Sequence, residues 1–188
     1  MKQLDLGCGN IPRQASNMDE IYGVDIADQS VITNENVKAG YDLAIQSIPY
    51  EDNSFDLVTA HDFMEHIPSF VYLPDSFMAL IGSGGVIKRN SMIELFNEIY
   101  RVLKDGGEFY MESPMYPHEQ AFQDPTHVFF WTPATIHYFS GDYSGFHDHY
   151  GHTSKFQLIS KKLVGSRIYM RLKAVKPCEP PFNVGEVI

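Results

Sequence analysis

Residues 4–9, Leu-Asp-Leu-Gly-Cys-Gly, constrain this chain more than any other stretch. An apolar strand carrying one acid runs into two glycines separated by a single residue, and a second short apolar strand at residues 22–26 carries Val24-Asp25 at its exit. Glycine lets the backbone turn sharply and lets a ligand come close where a Cβ would stand in the way. A carboxylate closing the second strand is placed to accept both hydroxyls of a ribose. The pattern predicts a nucleotide-type binding loop at the edge of a parallel sheet, with Gly7, Gly9 and Asp25 as its residues.

The dinucleotide fingerprint asks for a third glycine and a helix N-terminus facing a pyrophosphate. Here Pro12 follows the second glycine, no third glycine comes, and Asp5 sets a negative charge just before the loop. That charge repels a pyrophosphate and suits a cation, so the sulfonium and ammonium of S-adenosylmethionine fit these residues better. Two spaced glycines alone also describe a tight turn with no ligand; Asp25 argues against that reading.

LDLGCG at 4–9, YGVDI at 22–26, IPYEDNSFDLVTAHDFMEHIP at 48–68 and NEIYRVLKDGGEFYMESP at 97–114 follow one another in an order that resembles the class I S-adenosylmethionine-dependent methyltransferases, in particular the methyltransferase type 11 group. The resemblance implies a single α/β domain over residues 1–188, with a doubly wound, mostly parallel seven-stranded sheet of Rossmann-like methyltransferase type closed by a C-terminal antiparallel hairpin. It implies S-adenosylmethionine as cofactor, with Asp42 near the adenine, His61 at the methionine part, and Asp5 and Asp62 close by. It also implies that Glu65-His66 braces the turn after the strand at 55–60. Departures are visible. Residues 10–20 leave room for only a short helix, the first strand starts almost at Met1 without the helices often preceding it, and the spacing from Asp42 to Ile48-Pro49 is longer than usual. Asp42 is equally readable as a solvated loop carboxylate.

A length of 188 residues suits one domain, and 44% hydrophobic residues with 13% aromatics place the chain among globular proteins. The formal charge of −10 lacks the basic footprint that duplex nucleic acid requires, which disfavours nucleic acid as acceptor despite Lys161-Lys162. No leader-like or membrane-length apolar run occurs, so a cytoplasmic, membrane-free location is expected. Cys8 and Cys178 form no metal or redox pattern, and Cys8 is read as a small residue that fits its loop.

Residues 55–60 read as a buried parallel strand, and residues 91–104 as an amphipathic helix with Ile93, Phe96, Ile99, Tyr100 and Leu103 on one face. Asp105-Gly106-Gly107 is expected to cap that helix before a strand at 108–112. Residues 156–164 and 167–175 read as strands joined at Gly165-Ser166. Between the motifs at 48–68 and 97–114, residues 68–90 form an insertion rich in aromatics, methionine and glycine. It is expected to be a lid over the substrate mouth, a surface for a second copy of the chain, or a packed loop.

The C-terminal third carries Tyr116-Pro117-His118, then Gln123-Asp124-Pro125-Thr126-His127, then Trp131. The Gln-Asp-Pro-Thr-His run also recurs in relatives of the type 11 group, which implies an active-site loop on the acceptor side. His127 is the first candidate for a base, with Asp124 to orient it and His118 second. Hydrogen bonding of the loop by His127, and ligation of a metal by His118, Asp124 and His127, are the competing roles; no metal site is assigned. His147-Asp148-His149 with His152 reads as a surface loop. The expected acceptor is a small molecule, planar or sugar-like if Tyr116, Phe122, Phe130 and Trp131 line its site. Two rival functions are a non-catalytic binding module on the same fold and, disfavoured by Asp5, a nicotinamide oxidoreductase.

Overall fold

The computed structural model describes residues 1–72, 88–140 and 149–177. Strands β1 (Lys2–Leu6), β2 (Glu20–Val24), β3 (Val37–Lys38) and β4 (Phe55–His61) are followed by a short ladder of β5 (Val71–Tyr72) and β6 (Lys88–Arg89). Helix α1 (Ser91–Val102) leads straight into β7 (Leu103–Pro114), and β8 (Phe156–Val164) and β9 (Arg167–Ala174) close the fold. The main sheet has seven strands in the order β3-β2-β1-β4-β7-β9-β8. Its first five are parallel, and β9 runs antiparallel to both β7 and β8. This is the mostly parallel α/β sheet with a terminal hairpin expected from the sequence.

The register sorts side chains into two opposed faces, because successive strand residues point to opposite sides. Leu4, Val58, Phe109 and Leu172 lie side by side across four strands, as do Leu6, Ala60, Met111 and Met170. All eight are essentially inaccessible to solvent. Helix α1 packs on this face through Phe96, whose ring meets Phe109 edge-on at 5.6 Å and stacks on Phe139 at 4.0 Å. The other face presents Asp5, Thr59, Tyr110 and Arg171 in one row and Gln3, Leu57, Glu108 and Lys173 in the next.

Helix α1 begins at Asn90, whose side chain accepts the N–H of Ile93 at 3.1 Å. It ends two residues earlier than expected and without a glycine cap: Leu103 is already extended, at φ −71 and ψ 144. The turn before β4 takes over the capping role, since Asn53 N–H and Ser54 N–H donate to the carbonyls of Arg101 and Val102 at 3.0 and 2.8 Å. Gly106, at φ +73, instead serves a bulge where Leu103 pairs with Phe55 but the next pair is Leu57 with Glu108.

The lid and second-copy expectations fall mainly on residues 73–87, which lie outside the described residues, as do His147, Asp148, Cys178 and the rest of the tail. Among the described residues, no helix is long and apolar enough to cross a membrane.

Candidate active site

Parallel strands deliver their carboxyl ends to one edge of the sheet, where ligands of open α/β sheets bind. At that edge the chain leaves β1 through Gly7 and Gly9, both in the left-handed region at φ +64 and +57. A side chain at Gly7 would place its Cβ 2.3 Å from Cδ2 of Phe63, so the glycine is required for contact with the turn after β4. At Gly9 a Cβ would meet nothing within 4 Å, so the backbone there borders open space.

Asp25 follows β2 directly. One carboxylate oxygen accepts Gly9 N–H at 2.7 Å and the other accepts Ala27 N–H at 2.8 Å. Its carbonyl accepts Tyr41 N–H at 3.0 Å, which brings the loop after β3 alongside. In that loop Asp42 caps a short turn by accepting Ala44 N–H at 3.0 Å. The exits of β1, β2 and β3 are thus joined through Asp25, and Gly7, Gly9, Asp25 and Asp42 share one rim.

Asp5 has a different place. It is buried, with its carboxylate accepting the Thr59 hydroxyl at 2.7 Å and Arg13 N–H at 2.8 Å, and burial raises its pKa against those hydrogen bonds. It holds the chain after the glycine loop. Gln3 does the same, donating to the Arg13 carbonyl at 2.7 Å and accepting Ala15 N–H at 2.8 Å. No helix forms between β1 and β2; side-chain hydrogen bonds hold an irregular segment in its place. Cys8 sits against Gly23, where an added Cβ would lie 2.3 Å from the sulfur, and burial pushes its thiol up to about 12, helped by Asp5 and Asp25.

The exit of β4 carries His61 and Asp62. His61 Nδ1 is 3.2 Å from Glu112 Oε1 without hydrogen-bond alignment. Asp62, at φ +50, accepts from the Arg167 guanidinium. Glu112 also lies 3.1 Å from Arg13 Nη1 and 3.6 Å from Arg167 Nη2. Sequence reasoning missed Glu112, Arg13 and Arg167, which stand far apart in the chain and meet only through strand order.

On the acceptor side, Val128 N–H and Phe129 N–H donate to the Glu65 carbonyl at 2.9 and 3.0 Å, tying the loop after β7 to the turn after β4. His127 Nε2 lies 4.0 Å from Glu65 Oε1 and 4.0 Å from Asp124 Oδ2. The Asp124 carboxylate therefore does not hydrogen-bond the His127 ring; the contact between the two residues is His127 N–H donating to the Asp124 carbonyl at 3.1 Å. Asp124 Oδ1 is taken by Thr126, through the N–H at 2.8 Å and the hydroxyl at 2.6 Å. The His127 ring is oriented instead by the Ala121 carbonyl, 3.3 Å from Nδ1. His66 stands edge-on to His127 at 4.9 Å. Glu65 is buried, which raises its pKa, and Ser113 donates to its Oε2 at 3.0 Å. His118 is exposed and stands outside this group.

A family model described as a methyltransferase domain matches residues 4–111, more than half of the chain. No curated protein matches. Solved structures match across nearly the whole chain at low identity. A Haloferax volcanii complex between the Trm112 methyltransferase activator and a putative methyltransferase matches with a TM-score of 0.59 at 14% identity, over 93% of this chain and 83% of that one. An S-adenosylmethionine-dependent methyltransferase from Clostridium acetobutylicum gives 0.58 at 14%, over 93% and 84%. The [4+2]-cyclase SpnF gives 0.57 at 14%, over 93% and 74%.

Proposed function

Because this chain belongs to the methyltransferase type 11 family, we propose that it moves the methyl group of S-adenosylmethionine to the oxygen or nitrogen of a small acceptor in the cytoplasm. The observation that carries this reading is the hydrogen bond from Gly9 N–H to Asp25, which sets an open glycine backbone against a carboxylate at the adjoining strand exit. Each Asp25 oxygen has a second lone pair, so the ribose hydroxyls can still donate to it. Gly7 and Gly9 border the amino-acid part, Asp42 the adenine, and His61 and Asp62 the methionine chain. Asp5 is a positioning residue behind the loop.

The cofactor supplies a methyl carbon made electrophilic by a positive sulfur. With the cofactor bound, these residues would align the acceptor atom with that methyl carbon, and His127 would stand on the side from which the acceptor's proton leaves. The protein contributes chiefly alignment. The rigid tie between the Glu65 turn and the His127 loop supports that role, since it fixes the acceptor side relative to the glycine loop through Phe63.

Calorimetry with S-adenosylmethionine and with NAD, followed by detection of S-adenosylhomocysteine against a panel of small acceptors, tests the reading. Saturable binding of the first cofactor alone, weakened at least about tenfold in Asp25→Ala, is expected. No binding of S-adenosylmethionine at millimolar concentration would overturn it. Binding without any product release would mark a binding module on this fold.

A further inference from the structure

We propose that Glu65, His66 and His127 bind one divalent transition-metal cation of the Zn2+ or Mn2+ class. Among the described residues, one ligand atom from each of the three lies within 4.8 Å of the others. Bond lengths of about 2.0–2.2 Å from a cation to imidazole nitrogen and carboxylate oxygen put tetrahedral ligand atoms about 3.4 Å apart, so His127 Nε2 and Glu65 Oε1, 4.0 Å apart, share one cation after closing by about half an ångström. The third ligand atom, within 4.8 Å of the other two, has to close by about 1.4 Å at most to reach the same cation.

The hydrogen bonding around the cluster leaves lone pairs, and no donor, at its centre. Glu65 is 1% exposed; its Oε2 accepts from Ser113, while its Oε1 has no hydrogen-bond partner among the described residues. A buried carboxylate oxygen without a donor is costly and uncommon. The Ala121 carbonyl can only accept, so His127 carries its proton on Nδ1 and presents a bare Nε2. Thr126 gives its hydroxyl proton to Asp124 and so accepts from His66 Nδ1 at 3.0 Å, which leaves His66 Nε2 bare as well. An imidazole whose far N–H is fixed by a carbonyl or a carboxylate-backed hydroxyl is the usual outer support of a metal-ligating histidine. The lone pairs of His127 Nε2 and Glu65 Oε1 stand 4.0 Å apart with no proton between them, a gap too long for a shared proton, and this calls for a cation.

The donor set of two imidazoles and one carboxylate suits Zn2+, Mn2+ and their neighbours over Ca2+, which takes oxygen ligands. Three protein ligands leave at least one position open, and Asp124 Oδ2 adds negative charge 4.0 Å from His127 Nε2. The cluster sits at the exits of β4 and β7, on the acceptor side of the strand ends. There a hydroxyl of the methyl acceptor takes the place of water on the cation and loses its proton more readily. This last step rests on the methyltransferase reading, whereas the metal site does not.

The test uses the full chain, stripped of metal by chelation and dialysis, without cofactor. Titration with ZnCl2 and with MnCl2 should show one tight ion per chain for at least one of the two, and that ion should raise the melting temperature. His66→Ala, His127→Ala and Glu65→Gln should each weaken it at least about tenfold, while His149→Ala, at an exposed histidine outside the cluster, should leave it unchanged. Circular dichroism checks that each variant is folded, and His127→Gln replaces any that is not. Absence of a saturable ion, or an ion retained by the His66→Ala, His127→Ala double variant, would overturn the proposal. Metal binding alongside failure to bind S-adenosylmethionine would keep the site and remove the methyltransferase reading.

Discussion

On one side of the sheet Leu4, Leu6, Val58, Ala60, Phe109 and Met111 lie under α1 and the rings of Phe96, Phe139 and Phe156. On the other, Gln3, Asp5, Thr59, His61, Tyr110 and Glu112 carry, among the described residues, an irregular segment that hydrogen bonds hold down. The first side is organised by burial of apolar area, which is non-directional and large. The second relies on a few directional contacts worth about 1 kcal/mol each. Beyond that segment the described residues leave it open, with a cavity of about 390 Å³ bordered by Arg13, His61, Tyr110 and Arg171. Stability therefore resides on the apolar side, and the geometry of the glycine loop is governed from the polar side.

The contrast breaks most readily at Phe96. Phe96→Ala should cost about 3–5 kcal/mol in urea denaturation, because the ring is fully buried among three aromatic partners. A loss below about 1 kcal/mol would mean that α1 is not the main cover. Gln3→Leu should cost less, about 1–3 kcal/mol, since it strands the Arg13 carbonyl and Ala15 N–H. It should also weaken S-adenosylmethionine binding by freeing the segment behind the loop; an unchanged affinity would separate the polar face from the site.

Asp5 sharpens the comparison through pH. Burial raises its folded-state pKa, so the folded chain keeps this proton to higher pH than the unfolded chain does. Stability should accordingly fall as pH rises from about 4 through the raised value, where the unfolded state has already released the proton. Asp5→Asn, with its amide turned to Thr59, should flatten that part of a stability-against-pH curve; an unaltered slope would locate the effect elsewhere. The smallest change is expected for Arg171→Ala, within about 0.5 kcal/mol in thermal melts, because its 3.4 Å ion pair with Glu108 is half exposed.

Much of this was legible in the chain. The helix stripe of Phe96 and Ile99, the Gly165 turn and the Gly7, Gly9 and Asp25 loop each encode their structure within a few neighbouring residues, where periodicity and backbone sterics act. The Glu65, His66 and His127 cluster was not, since His66 reads locally as a brace and its partner lies beyond another strand. Only the adjacency of β4 and β7 unites them, and no short spacing records it. The glycine cap expected at 105–107 failed for a similar reason: the carbonyls it would serve are met by Asn53 and Ser54 from a distant turn. The two-faced sheet did leave a signal, the alternation in β7 and β9, which can be read only once their pairing is known.

Glu112 faces Arg13 from the segment after β1, His61 from β4 and Arg167 from β9. Such a junction feels dissolved ions, whereas the aromatic core barely does, since the Debye length shrinks to about 3 Å at 1 M salt. Raising ionic strength should therefore weaken the exposed Arg13 contact with Glu112 before the better buried Arg167 contact, while the aromatic core is left intact, so salt separates the outer half of this junction from the inner.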